Sequence, residues 1–324
     1  MGGDRDPSLT WTPTAPAPIA RAVELADPID AGAASTIIAG DSLDALSALS
    51  RTHAERVTLA YVDPPFFTGR EHALNSHAAR GEESPAIAFD DRWPDLATWL
   101  EHLRDRAAIV RELLARDGSL VVHVDPKTSG YVRVLLDGVF GLAAFQSEIV
   151  WRYRRWPART PNFQRVHDVL LRWVRDPREK PRFSQQYEPL AESTKKAWGA
   201  GKQRAIVGAD GRRTRSSTTA ERSPGVPLGD VWDLSILAPS GKERTGYPTQ
   251  KPEALLTRLI TSLTQVDDLV LDPTMGSGTT LVACARLSRR AIGIDRSEVA
   301  IAIARERLAK KGVSPVFTRV RAAP

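Results

Sequence analysis

Short apolar runs alternate with amphipathic stripes along much of the chain, and the two periods predict strands and helices in turn. Residues 36–39 form an apolar run ended by Gly40 and Asp41. Residues 42–49 follow with leucines three apart, so a buried strand hands over to a helix. A second strand is expected over 57–62. It stops at Asp63-Pro64-Pro65-Phe66, because prolines cannot donate to a central ladder. The stripe through Leu96, Trp99, Leu100, Leu103, Ala107, Val110 and Leu113 predicts a helix over 94–116, stopped at Asp117-Gly118 and followed by a strand over 119–124. A further helix is expected over 131–140, closed by Gly141, and residues 149–153 and 166–174 read as an antiparallel pair around a basic loop.

From 176 to about 247 the periodicity is lost and Arg, Lys, Ser, Thr, Gly and Pro dominate, which marks an insertion. Order returns with a helix over 254–263, a strand over 269–272, a helix over 276–287, a strand over 291–295 and a helix over 298–308. Alternation of this kind predicts an α/β fold, a doubly wound and mostly parallel Rossmann-like sheet assembled from both ends of the chain. The expected organisation is a flexible arm over 1–35, a catalytic domain from 36–150 and 248–312, and a basic region over 151–247.

Composition narrows the class. At 324 residues and 42% hydrophobic content, the chain can fill a large core without staples. Cys284 is the single cysteine, so no internal disulfide or multi-thiolate metal site is available; it reads as a core residue, and no metal is expected. No apolar run approaches the roughly 18 residues of a membrane span, and the first 35 residues lack the pattern of a secretory signal. A cytoplasmic, nucleoid-associated protein with no membrane partner is expected. Formal net charge is +6. Residues 151–247 hold 20 Lys or Arg against 10 Asp or Glu, while the rest hold 25 against 29, so the basicity is concentrated where periodicity fails. Such a patch is either a solvated surface or a polyanion footprint.

Two motifs carry candidate chemistry. Residues 272–280 sit where a strand hands over to a helix, and Gly276 and Gly278 let backbone approach a ligand while helix amides face it. Asp295 ends the next strand, where an acid in such folds takes ribose hydroxyls. A nicotinamide site is the competing reading; Asp272 argues against it, since its carboxylate would repel a pyrophosphate but suits an ammonium. The second motif, Asp63 to Phe66, joins an acceptor, a rigid backbone and an aromatic plate at a strand's carboxyl end. A core Phe after a proline-ended strand is the plain alternative. An exocyclic base amine is a poor nucleophile, and Asp63 with the Pro64 carbonyl can accept both its hydrogens while Phe66 stacks on a flipped base.

At these residues the chain resembles the beta class of DNA amino-methyltransferases, in which an Asp-Pro-Pro-aromatic motif precedes the glycine motif. The resemblance spans about 36–308. It implies that Asp63, Pro64, Pro65 and Phe66 are catalytic. It also implies that S-adenosylmethionine is the cofactor, held by Asp41, Asp272, Pro273, Thr274, Gly276, Ser277, Gly278, Thr279 and Asp295. Gly40-Asp41 is similar to the family's strand-end acid, 118–125 to its central strand, and 249–253 to the lead-in to its cofactor helix. Lys251, in that lead-in, is assigned to the cofactor or to a helix cap. Thr274 stands where the family usually has Phe, and Phe67-Thr68-Gly69 where it often has Asn. Asp before Pro-Pro-Phe resembles the adenine N6 members, with cytosine N4 methylation and a silent DNA-binding relative as alternatives.

Double-stranded DNA is the expected partner, contacted by Arg152, Arg154, Arg155, Arg212, Arg213 and Arg215; a second copy of the chain and a restriction endonuclease are compatible partners. Trp151 and Tyr153 read equally as stacking residues or as half core. The His167-Asp168 pair reads as a structural turn.

Overall fold

The computed structural model describes residues 23–30, 32–74, 86–238 and 240–323. Ten strands form one sheet in the order Val23–Leu25, Val316–Ala322, Ser35–Ala39, Arg290–Asp295, Leu269–Asp272, Val57–Val62, Leu114–Val124, His167–Val174, Phe145–Arg152 and Val231–Asp233. All are mutually parallel except Val23–Leu25 and His167–Val174. This is the expected doubly wound sheet with its antiparallel pair, Trp151 lying opposite Asp168.

Both faces of the central strands are buried, and side chains two apart share a face. Ala60 and Val62 therefore join the core under helices Ser42–His53, Leu96–Leu113 and Ser129–Phe140, whereas Leu59 and Tyr61 point to the other side. Helices Glu253–Leu263, Thr279–Arg286 and Glu298–Ala309 pack on one another as a second group. The C-terminal strands Leu269–Asp272 and Arg290–Asp295 insert between Ser35–Ala39 and Val57–Val62. That insertion sets the carboxyl ends of Val57–Val62 and Leu269–Asp272 side by side, at the point where the strand order reverses and ligands bind in such sheets.

Several boundaries differ from expectation. The helix over 94–116 ends at Leu113, and the chain enters Leu114–Val124 directly. Gly118 lies inside that strand, where a Cβ would stand 2.8 Å from the Val57 carbonyl oxygen, so the glycine marks a close backbone approach rather than a helix stop. Val23–Leu25, within the expected arm, pairs antiparallel with Val316–Ala322; residues 1–22 lie outside the described residues.

Residues 183–230 form a second compact unit. It contains the helix Glu192–Trp198, the hairpin of Gly201–Val207 with Arg213–Arg222, and a short pairing of Tyr187–Glu188 with Val226–Pro227. The longer strand, Arg213–Arg222, is rich in Arg, Ser and Thr and carries no apolar alternation, while Gly201–Val207 has only a three-residue apolar end. The expected basic region is wider than this unit, since Phe145–Arg152, His167–Val174 and Val231–Asp233 belong to the main sheet. Among the described residues no helix is long and apolar enough to cross a membrane.

Candidate active site

A cavity of about 410 Å³ opens at the carboxyl edge of the sheet, and both motifs line it. Asp63 follows the last residue of Val57–Val62, and its N–H donates to Thr274 Oγ1 at 2.9 Å. Thr274 thus ties the base motif to the glycine motif, a role that its departure from the usual Phe did not suggest. Behind the prolines, the buried Trp99 indole donates to the Pro65 carbonyl at 2.8 Å. The buried Asp91 carboxylate accepts from the N–H groups of Phe67 and Thr68 at 3.1 and 2.8 Å, and from Thr68 Oγ1 at 2.6 Å. These bonds hold Phe67 at φ 57°, a left-handed conformation uncommon for a bulky side chain, and so fix the direction in which Phe66 leaves the strand.

Lys251 is the largest surprise. It was expected at the cofactor or capping a helix, yet its Nζ lies 2.8 and 2.6 Å from the two oxygens of Asp63 and 4.8 Å from the centre of the Phe66 ring. Lys251 is buried and Asp63 half-buried, so this is a largely desolvated ion pair. The Lys251 carbonyl accepts from Thr279 Oγ1 at 3.1 Å, which joins the same residue to the start of the glycine-motif helix.

The glycine turn is built from its carboxylates outward. Asp272 accepts from Thr274 N–H at 3.1 Å and Thr280 Oγ1 at 2.5 Å. Asp295 accepts from Gly276 N–H at 2.9 Å and Ser297 N–H at 2.8 Å. Gly276 and Gly278 have φ of 49° and 75°, and a Cβ on Gly278 would meet that of Ala304 at 2.7 Å. The helix therefore begins at Thr279 rather than at 276. Burial pushes the Asp272 carboxyl up to about 7, against the hydrogen bonds of Thr280 and Thr274, and burial also raises Asp295. A floor of carboxyls held at such cost favours a cationic, hydroxyl-bearing ligand.

Arg307, which no sequence signal distinguished from other helix arginines, locks this turn from below. It is buried, and its Nη1 donates to the Ser277 carbonyl at 2.9 Å and to Thr279 Oγ1 at 2.9 Å, while Nη2 reaches Glu253 at 3.3 Å. At the far end of the cavity, Asp41 caps the helix Ser42–His53 by accepting from Leu43 N–H at 2.8 Å. Arg106 Nη2 lies 3.1 Å from both Asp41 oxygens. Nearby His102 is held down at about 3 by burial and then by the Arg106 charge, so it is neutral at physiological pH.

A buried chain of polar groups backs the Phe66 ring. Tyr61 OH is 2.8 Å from His123 Nδ1, His123 Nε2 is 3.4 Å from Asp168 Oδ2, and Tyr153 OH donates to Asp168 Oδ1 at 3.0 Å. Asp168 only accepts, so Nε2 carries the proton and Tyr61 donates to Nδ1. Burial, then the Lys251 charge, lowers His123 and keeps the imidazole neutral. Asp168 is therefore a sheet residue with buried partners rather than part of a turn. Trp151 and Tyr153 are buried as well, not half exposed.

Of the arginines expected on DNA, Arg152 forms an exposed ion pair with Asp233, while Arg154 and Arg155 stand on the surface of the following loop. Arg212 is exposed in the turn of the second unit; Arg213 and Arg215 lie on its hairpin strand, and their side chains are outside the described residues.

The fold and the pair of strand-end motifs define an α/β protein with a nucleotide-type pocket at the carboxyl edge of its sheet, and comparison with known proteins gives the family. The DNA methylase family of N6 and N4 methyltransferases matches residues 57–306, and the chain belongs to it: it is a DNA methyltransferase. Over 283 residues it is 25% identical to the type II methyltransferase M.HpaI of Haemophilus parainfluenzae, covering 87% of this chain and 78% of that protein. Over 266 residues it is 27% identical to the DNA adenine methyltransferase YhdJ of Escherichia coli K12, covering 81% and 78%. Its fold is similar to that of the M1.HpyAVI–SAM complex, with a TM-score of 0.53 at 20% identity, over 85% of this chain and 98% of that one.

Proposed function

We propose that the chain methylates the N6 amine of an adenine flipped out of duplex DNA, with S-adenosylmethionine as the methyl source. The observation that carries this reading is one cavity with two ends. Asp63 and Phe66 form one wall, and the carboxyls of Asp272 and Asp295 line its continuation at the glycine turn. The residues present fit the cofactor: Asp272 suits its ammonium, Asp295 its ribose hydroxyls, and the backbone at Gly276 the close approach that a Cβ, 3.0 Å from Tyr247, would obstruct. Bound there, S-adenosylmethionine supplies an electrophilic methyl on a sulfonium.

The chain's own residues do the rest. Phe66 stacks on the base, and Asp63 with the Pro64 carbonyl accepts the two amine hydrogens, so that the nitrogen lone pair is free of the ring. Asp63 stabilises the positive charge that develops on nitrogen and accepts the proton along that hydrogen bond. Lys251 shares the carboxylate, so the amine takes over one of two oxygens that Lys251 holds in its absence. The Asp before Pro-Pro-Phe and the similarity to an adenine methyltransferase support adenine over cytosine.

Product analysis tests this directly. Genomic DNA from cells expressing the protein, digested to nucleosides and sequenced for modified positions, should contain N6-methyladenine in one sequence context. N4-methylcytosine would overturn the base, and no new modified base at all would favour a silent DNA-binding relative.

The raised Asp272 pKa gives a second expectation. In the unfolded chain this carboxyl titrates at about 3.9, whereas in the folded apo-protein it does so at about 7. Between those values the native state retains a proton that the unfolded state has released, so its contribution to stability declines as pH rises through that window. An ammonium placed on Asp272 reverses the preference. Cofactor binding should therefore release a proton near pH 6.5 and tighten toward pH 7.5, by no more than about tenfold per unit. Calorimetry in two buffers of different ionisation enthalpy measures this, and zero proton release would remove the ammonium from Asp272.

A further inference from the structure

Tyr153 N–H donates to the Val166 carbonyl at 2.9 Å, so residues 154–165 leave and rejoin the sheet at one point. The loop contains Arg154, Arg155, Arg159 and Arg165 and no acidic residue. Its stem is fastened: Arg165 pairs with Asp125, and the Arg155 guanidinium lies 5.6 Å from the Tyr153 ring centre. Between these anchors Trp156 is 88% exposed and Phe163 100% exposed. Single exposed apolar residues are ordinary. Two aromatics held out into water by one arginine-rich loop are not. Pro157 and Pro161 stiffen it, and the Gln164 amide donates to the Trp156 carbonyl at 2.8 Å.

The loop leaves the carboxyl end of Phe145–Arg152, the same edge of the sheet as Asp63. Its root is joined to the base wall by short steps: Tyr153 to Asp168, Asp168 to His123, and the His123 ring to that of Phe66 at 5.6 Å between centres. An enzyme that extracts a base must also steady the stack it disrupts, and a flat ring offered beside phosphate-binding charge does so for any sequence.

We propose that residues 154–165 form a base-stacking clamp, in which Trp156 and Phe163 stack on bases next to the target while Arg154, Arg155 and Arg159 neutralise phosphates. The inference rests on the reading of the cavity as a flipped-base site. The two contributions differ in salt dependence. Each phosphate neutralised adds about 0.9 to the slope of log affinity against log salt, whereas stacking adds affinity without adding slope.

Anisotropy of a fluorescein-labelled duplex carrying one mismatched adenine, whose displacement costs least, titrated with the full chain across a salt series, separates them. Trp156→Ala with Phe163→Ala should weaken binding roughly 10-fold or more at every salt concentration with the slope unchanged. Replacing Arg154, Arg155 and Arg159 together by alanine should lower the slope by about 2 to 3. Trp156→Phe should keep most of the affinity but remove part of the quenching of tryptophan emission by DNA. Unchanged affinity in the aromatic double variant, with an unchanged melting temperature, would overturn the clamp. So would a fall in slope in that variant, because the rings would then act only by placing the arginines. No methyl transfer is read, so failure here leaves the methylation reading standing, and absence of a methylated base leaves this assay interpretable.

Discussion

Asp63→Ala is expected to lower turnover by at least about 10³-fold, because it removes the acceptor that polarises the target amine as the methyl is attacked. Cofactor affinity should stay within a few-fold, since Asp272 and Asp295 are untouched. The variant also strands the buried Lys251 ammonium, and a buried charge without its partner costs about 3–5 kcal/mol. Loss of activity through unfolding must therefore be separated from loss of chemistry. The double variant Asp63→Ala, Lys251→Met does so. It removes both charges, should recover most of the melting temperature, and should remain inactive. Recovery of methyl transfer in the double variant would show that Asp63 serves only to neutralise Lys251, and the mechanism would be withdrawn.

The second large effect falls on Arg307. Arg307→Met removes the guanidinium that holds the Ser277 carbonyl, Thr279 and Glu253 together beneath the glycine turn. The buried hydrogen-bonding groups left behind should cost about 3–5 kcal/mol, which at roughly 2–4 °C per kcal/mol lowers the melting temperature by on the order of 10 °C. The turn would also lose its support, so S-adenosylmethionine should raise the melting temperature of the variant less than that of the parent. Arg307→Lys keeps the charge but not the planar fork, and should fall between the two. A melting temperature within about 1 °C of the parent would show that the turn stands without this residue.

Much of the fold was legible because each central strand is buried on both faces and each covering helix on one, so burial writes a period into the sequence. Val57–Val62 ended where two prolines required it to end. Where burial is weak the signal vanished. In the hairpin of Gly201–Val207 with Arg213–Arg222 the one apolar run is residues 205–207, too short to separate the pattern from a loop. Val231–Asp233, three residues long, is a strand only because Phe145–Arg152 offers it an edge.

The site divides along the same line. Asp63 to Phe66, the glycine turn and Asp295 are local arrangements, each made by a strand end and the residues next to it, and a sequence records such neighbours directly. What holds them in place comes from far along the chain. Thr274 reaches Asp63 across 211 positions and Lys251 reaches it across 188, because Leu269–Asp272 pairs beside Val57–Val62. Asp91, His123 and Arg307 read from the sequence as ordinary polar residues, and only the packing buries them against the motifs. Sequence by itself determined which apolar residues are buried and where the chain must turn, since both depend on local pattern. Tertiary structure alone decided which charge faces which, since that depends on strand order and register, and no local period encodes them.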